Sequence, residues 1–267
     1  MSISAGKQEY DVSNGKVIAI GVSHTFDEMC VALQNEVYDK LYDIQEQKDI
    51  LDQLADTGFS KAVLIDSLFP IVERKDWEIG EAYAQAYIEE RMCACIPWGI
   101  SRDLKKPGSS LPGADIVGIC RYDNDTYFLF GEIKTSSQKK YPPNVIYGET
   151  GLKKQLEDLC ENDDIIHALV LYLAHRLKNS DKWSDYRKAF MHYMNSKGKS
   201  VAIVGALVRD VIPCRDDLQA RAEKLKQYVS NGRKVELIGI YLPVDSISGF
   251  CQIIHEECER RSISNDK

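Results

Sequence analysis

The stretch Leu111–Gln138, LPGADIVGICRYDNDTYFLFGEIKTSSQ, sets two apolar runs on either side of the polar segment YDNDT. Apolar runs of this length around a turn-forming cluster read as a β-hairpin, with strands over about 114–122 and 126–135. Asp115 opens the first run, and Glu132 and Lys134 lie near the end of the second. Side chains alternate along a strand. Phe128, Phe130, Glu132 and Lys134 therefore share one face, and Tyr127, Leu129 and Ile133 take the other. A two-residue loop at Asn124-Asp125, or a four-residue loop over Asp123–Thr126, sets Tyr122 opposite Tyr127, Val117 opposite Glu132 and Asp115 opposite Lys134. Opposite residues point to one face, and Asp115 lies diagonal to Glu132 at roughly 7–8 Å between Cα atoms. A three-residue loop would slip the register by one and move Asp115 to the other face. The convergence of Asp115, Glu132 and Lys134 thus depends on the turn, while Gly113 and Gly118 ease close approach.

Two carboxylates sharing one site suit a hard divalent cation such as Mg²⁺, which prefers oxygen ligands; Mn²⁺ is the expected substitute. Such an ion polarises a phosphodiester and acidifies a bound water, and a lysine beside it stabilises charge building on phosphorus. The bland alternative is a solvent-facing Glu–Lys pair at a strand end, with Asp115 capping the loop.

Around the hairpin, the chain of 267 residues has room for one large domain. We read residues 1–267 as a single unit: a strand and helical lobe over 1–75, a core over 76–262 and a polar tail over 263–267. KVIAIGVSH (16–24) reads as a strand, followed by two helical segments. DWEIGEAYAQAYIEERM (76–92) reads as a helix with Asp76 as N-cap. Pro97, Gly99, Pro107, Gly108, Pro112 and Gly113 mark a long loop. After the hairpin come a helix over 148–162, a helical pair over 163–198, a strand over 200–211, a helix over 216–232, a strand over 234–243 and a last helix. Strands alternating with helices on this scale point to α/β layering.

Composition narrows the function. A 44% hydrophobic and 28% charged chain is globular in character, and no apolar run reaches the roughly 18 residues of a membrane span. The polar N-terminal stretch has no apolar signal region, so we expect a cytoplasmic protein with no membrane partner. The eight cysteines are scattered, and only Cys93 and Cys95 lie close together; reduced thiols are the expectation. A net charge of −7 argues against coating nucleic acid by charge alone, yet leaves room for a nucleic-acid enzyme with a local basic rim. The five histidines form no H-E-x-x-H or H-x-x-x-H, and there is no P-loop and no G-x-G-x-x-G. Any ATP dependence must come from a partner. The aromatic stretch around Trp183 and Tyr186 reads as packing between helices.

Asp115 followed by Glu132-Ile133-Lys134 across a hairpin resembles the PD-(D/E)xK nuclease superfamily, with GADIVG and GEIKTSS in the places of its core motif. Gly-Ala-Asp replaces the Pro-Asp of that motif. The resemblance spans about residues 76–155. It implies a restriction-endonuclease-like core with a central mixed sheet flanked by helices, and phosphodiester cleavage of DNA with Mg²⁺. It also implies metal ligation by Asp115, Glu132 and the Ile133 carbonyl, with Lys134 catalytic. The upstream helix of the superfamily adds a glutamate; Glu81 matches that helix pattern best, and Glu78, three residues earlier on the same face, is the next candidate. The following helix supplies substrate contacts, which here implies Gln155, with Lys153, Lys154, Lys139 and Lys140 as a phosphate-facing rim. Across its whole length the chain is similar to the HamA family, the nuclease subunit of the Hachiman anti-phage defence system. That likeness implies a DNA nuclease restrained by a helicase partner. Two other functions stay open: a catalytically silent nuclease-fold scaffold, and an RNA-cleaving nuclease.

Overall fold

The structure, a computed structural model, describes residues 2–70, 72–97, 113–122, 124–229 and 232–265. The chain is an α/β protein built on one six-stranded mixed sheet, in the order β1-β2-β6-β5-β4-β3. The strands are β1 (Lys7–Asp11), β2 (Val17–Ser23), β3 (Ile116–Tyr122), β4 (Asp125–Ser136), β5 (Ala202–Arg209) and β6 (Lys234–Tyr241). β2, β6, β5 and β4 run parallel, and β1 and β3 close the two edges antiparallel. Parallel strands must be covered on both faces, so their sequences lose the polar half of the alternation. β5 follows that rule: all eight residues of AIVGALVR are buried.

Two apolar layers flank the sheet. Ala202, Val204, Ala206 and Val208 of β5 join one core with α1 (Phe26–Ala32), α2 (Tyr38–Leu41), α5 (Asp76–Arg91) and α10 (Phe250–Asn265). Ile203 and Leu207 face the other, with α6 (Leu152–Glu161), α7 (Asp163–Leu177), α8 (Trp183–Asn195) and α9 (Gln219–Leu225). The expected alternation of β4 holds: Tyr127, Leu129 and Ile133 enter the first core, Phe128 and Phe130 the second.

Several boundaries differ from the sequence reading. β1, KQEYD, is an exposed edge strand whose polar residues carry no apolar alternation to betray it. It pairs with β2, which enters the hairpin's sheet beside β6, so the N-terminal segment contributes two strands to the sheet as well as helices. That segment also holds α3 (Ile44–Gln53) and a separate helix α4 (Lys61–Leu68). The cap of α5 is Lys75 rather than Asp76: its backbone N–H donates to the Glu78 carboxylate at 2.8 Å. α9 is half the expected length, and α10 runs to Asn265, so the first residues of the expected tail are helical. The proposed loop over 98–112 lies outside the described residues.

The hairpin register is the main correction. Tyr122 pairs with Asp125, Cys120 with Tyr127 and Ile116 with Gly131, two residues away from the expected pairing. Asn124 in the turn takes a left-handed φ of 71°, which Asn adopts more readily than most residues. A slip of two leaves every side chain on its expected face. It brings Asp115, just before β3, level with Glu132 instead of Lys134.

Candidate active site

The two hairpin strands part where β3 begins, and the charged residues collect there. The Ile133 N–H donates to Asp115 Oδ2 at 2.8 Å, which ties the Asp115 carboxylate to the backbone of β4. Lys134 Nζ donates to Glu132 Oε1 at 2.5 Å. Glu132 is only 5% exposed, in β4 just past the apolar run Tyr127–Phe130.

Helix α5 crosses the same strand. A Cβ at Gly80 would fall 2.1 Å from Thr135 Oγ1, so only glycine lets the helix lie this close to β4. One residue further, Glu81 turns toward the hairpin charges. Burial, then the negative charge of Asp115, pushes its carboxyl up to about 8, against the pull of Lys134. Glu132 is pushed up to about 7 by burial first and Asp115 second. Burial also raises Asp115, although the Ile133 N–H and Lys134 oppose the shift. Burial pulls the Lys134 ammonium down, but the bond and charge of Glu132 outweigh it, so its pKa rises above the ordinary value. Asp115 lies close enough to Glu132 to raise its carboxyl further. Three carboxyls facing a single ammonium carry more negative charge than the site balances, and this repulsion adds to burial in raising Glu81 and Glu132.

Glu78, the next candidate on α5, is otherwise employed: it accepts the Lys75 N–H and pairs with Arg74 at 3.6 Å. The sequence reading passed over Gln85, one turn beyond Glu81 on the same helix face. Its Nε2 donates to the Asp115 carbonyl at 3.1 Å and fastens that peptide to α5. Its i+4 spacing from Glu81 was the available signal. Of the glycines expected to ease approach, Gly118 does so: a Cβ there would meet the Cys95 carbonyl oxygen at 2.5 Å, beside the Cys95–Ile119 bridge.

The expected rim is engaged within the protein. Lys154 pairs with Asp158 at 2.5 Å, Lys139 with Asp245 at 3.5 Å, and Lys140 donates to Asn144 Oδ1 at 2.8 Å. Gln155 Nε2 donates to the Glu149 carbonyl at 3.0 Å, and Lys153 is half-buried on α6. The exposed pairs are weak and salt-sensitive and can open to a phosphate at little cost.

Among the described residues, no three His, Cys, Asp or Glu side chains stand in a spacing that would hold a metal ion. The donor set nevertheless fits a hard cation in its chemistry. Asp115, Glu132 and Glu81 offer oxygen ligands, and a divalent ion would discharge the repulsion that now raises Glu81 and Glu132 and would replace their proton. No helix among the described residues is long and apolar enough to cross a membrane. No protein-family model and no curated protein matches the chain.

Proposed function

We propose that the protein is a metal-dependent DNA endonuclease of the PD-(D/E)xK kind, its sheet and flanking helices forming a restriction-endonuclease-like core. The observation that carries this reading is the meeting of Asp115, Glu132 and Lys134 at the mouth of the hairpin, with Glu81 electrostatically coupled to them from α5. The mixed sheet with helices on both faces is compatible with it. Asp115, Glu132, Glu81 and the Ile133 carbonyl would hold Mg²⁺ or Mn²⁺. When bound, the ion supplies Lewis-acid polarisation of the phosphodiester and a more acidic water. Asp115 is held in place for this by the Ile133 N–H, and Gln85 fixes its peptide from the other side. Lys134, kept cationic by Glu132, orients the attacking water and stabilises charge on the phosphoryl oxygens. Glu81, with a carboxyl pushed up to about 8, would hold a proton near neutral pH without the ion and release it as the ion binds. Lys139, Lys140, Lys153, Lys154 and Gln155 contact the backbone of the nucleic acid.

The likeness to the HamA family supports a place in an anti-phage complex, with a helicase partner that supplies ATP dependence and restrains cutting. The acidic chain and its lack of a nucleotide-binding motif fit that division of labour. Two observations favour a second reading, a catalytically silent scaffold: Lys134 holds Glu132, and among the described residues no three ligands are gathered.

The test is incubation of the purified protein with supercoiled plasmid, with a parallel RNA substrate, in Mg²⁺, Mn²⁺ or EDTA, alone and with the co-expressed neighbouring gene product. Metal-dependent nicking that Lys134→Ala removes supports the proposal. Cleavage of RNA alone transfers the site to the RNA reading. Failure to cut under every condition leaves the scaffold reading.

A further inference from the structure

The segment between β4 and α6 leads from Lys134 to the lysines and glutamine given above to the nucleic-acid backbone, and it exposes two tyrosines, Tyr141 and Tyr147. Tyr141 is engaged: its hydroxyl donates to the Ile212 carbonyl at 3.1 Å, and the Arg209 guanidinium lies 5.3 Å from its ring centre. Tyr147 is 52% exposed, and among the described residues its hydroxyl and ring have no bonded or stacked partner. Its backbone is nevertheless fixed. The Tyr147 N–H donates to the Asn144 carbonyl at 2.9 Å, and a Cβ at Gly151, the cap of α6, would fall 2.3 Å from the Tyr147 carbonyl oxygen. Ile146, just before it, is buried in one core with Phe128, Phe130 and Leu152. By alternation that core covers the face of β4 that goes on to Glu132 and Lys134. An exposed ring on an anchored backbone therefore stands on the site's own face of the sheet.

The groups around the ring say what would lie on it. Lys140 Nζ is bonded to Asn144, and Gln155 Nε2 to the Glu149 carbonyl, so two of the expected phosphate contacts are fastened to residues that flank Tyr147. Charge adds little by itself: Lys139, Lys140, Lys153 and Lys154 stand against Glu149 and against Asp245 and Asp158, which pair with Lys139 and Lys154. Gly148, Glu149 and Thr150 are exposed and carry no large apolar side chain, so the ring is not the centre of an apolar patch of the kind a protein partner buries. One flat apolar face between phosphate-binding groups fits a base, and every base has a face to stack. In a duplex those faces are covered by neighbouring pairs, and freeing one costs unstacking and unpairing.

We propose that Tyr147 is a stacking platform for an unpaired base beside the hairpin site, and that the site therefore takes single-stranded DNA in preference to duplex. Lys140 and Gln155 hold the phosphates on either side of that base, and the ring supplies the affinity that the nearly balanced charges do not. The inference deepens the nuclease reading and rests on it for the path of the strand.

The test titrates the full chain, carrying Lys134→Ala and in Mg²⁺ so that no strand is cut, by fluorescence anisotropy. The probes are a short single-stranded DNA, the same strand with abasic positions in place of its bases, its blunt duplex, and RNA of the same sequence. The intact DNA strand is expected to bind at least about fivefold tighter than the abasic strand or the duplex. Adding Tyr147→Ala should remove that advantage, whereas Tyr147→Phe and Tyr147→Trp, which keep an aromatic ring, should retain it. Circular dichroism of each variant must match the parent, and the abasic strand tests the same claim on an unaltered Tyr147. The proposal is overturned by equal binding of the intact and abasic strands, by a duplex bound as tightly as the single strand, by RNA bound more tightly than DNA, by affinity indifferent to Tyr147→Ala, or by no binding of any strand. The plasmid assay decides the nuclease reading separately. Cutting with affinity indifferent to Tyr147 overturns the platform alone, and base-dependent binding without cutting overturns the nuclease alone.

Discussion

Two neighbouring parts of one sheet bury charge in opposite ways. At the end of β5, Arg209 is fully buried and donates to Asp217 Oδ1 at 3.1 Å and to the carbonyls of Gln138 and Lys140. Asp217 Oδ2 accepts the Tyr241 hydroxyl at 2.8 Å, which leaves Tyr10 to donate to Tyr241 at 2.8 Å. One cation meets one anion, and hydroxyls and carbonyls take up most of the rest. Beside the adjacent strand, which pairs Ser136 with Arg209, three carboxyls from three elements face one ammonium, and Glu81 and Glu132 are raised by burial and mutual repulsion. The balanced cluster holds the segment after β4 against the sheet. The unbalanced one is unfavourable by itself, and a cation entering it would relieve the repulsion. A charge group that serves only the fold is neutralised within the fold; the hairpin group is left open.

That contrast can be broken by experiment, beginning where the effect is largest. Removing Lys134 or Glu132 by Lys134→Ala or Glu132→Ala is expected to lower plasmid cleavage at least about 100-fold, in protein whose circular dichroism still shows the parent fold. Cleavage at the parent rate would remove the hairpin from the chemistry. Asp115→Asn should do the same and weaken Mn²⁺ binding in calorimetry.

The balanced cluster should fail in stability instead. Arg209→Met leaves Asp217 buried without its cation, at an expected cost of about 3–5 kcal/mol in urea unfolding. The double replacement Arg209→Met/Asp217→Leu should recover much of that loss. If the single variant unfolds no earlier than the parent, the pair does not hold the sheet end.

The sharpest test of the unbalanced cluster is a gain. Glu81 is raised from an ordinary 4.5 to about 8 in the folded protein. Between those values the folded state binds the extra proton, so stability falls as pH rises from about 4.5 through 8. Glu81→Gln should therefore stabilise the metal-free protein at pH 8 by roughly 2 kcal/mol and leave it little changed at pH 4.5. Equal melting temperatures at pH 8 would mean that Glu81 feels no repulsion from the hairpin. By the same sign, Mn²⁺ affinity should weaken as pH falls below about 7, because the proton held by the carboxyls competes with the ion.

The smallest effect separates the two glutamates of α5. Glu78→Ala removes the acceptor of the Lys75 N–H and should cost about 1 kcal/mol of stability, without changing Mn²⁺ affinity. A loss of metal affinity here would transfer the role of Glu81 to Glu78.

The sequence by itself determined which faces of β4 meet which core. The two-residue period of its side chains separates Phe128 and Phe130 from Tyr127, Leu129 and Ile133 in any pairing that keeps parity. The helical character of residues 76–91 and the apolar run Ala202–Val208 of β5 were legible from equally local patterns. Strand β1 was not, because an exposed edge needs no apolar pattern. The exact partner of Asp115 was not legible either: YDNDT permits more than one tight turn, and the choice rests on the small backbone preferences of Asn124. Only the tertiary structure decided which glutamate of α5 looks into the hairpin. Glu78 and Glu81 share a helix face, so local geometry treats them alike. The close contact of Gly80 on Thr135 and the bond from Gln85 to the Asp115 carbonyl set the height of the helix against the sheet. That height, a matter of long-range packing, puts Glu81 in the field of Asp115 and leaves Glu78 to cap its own helix.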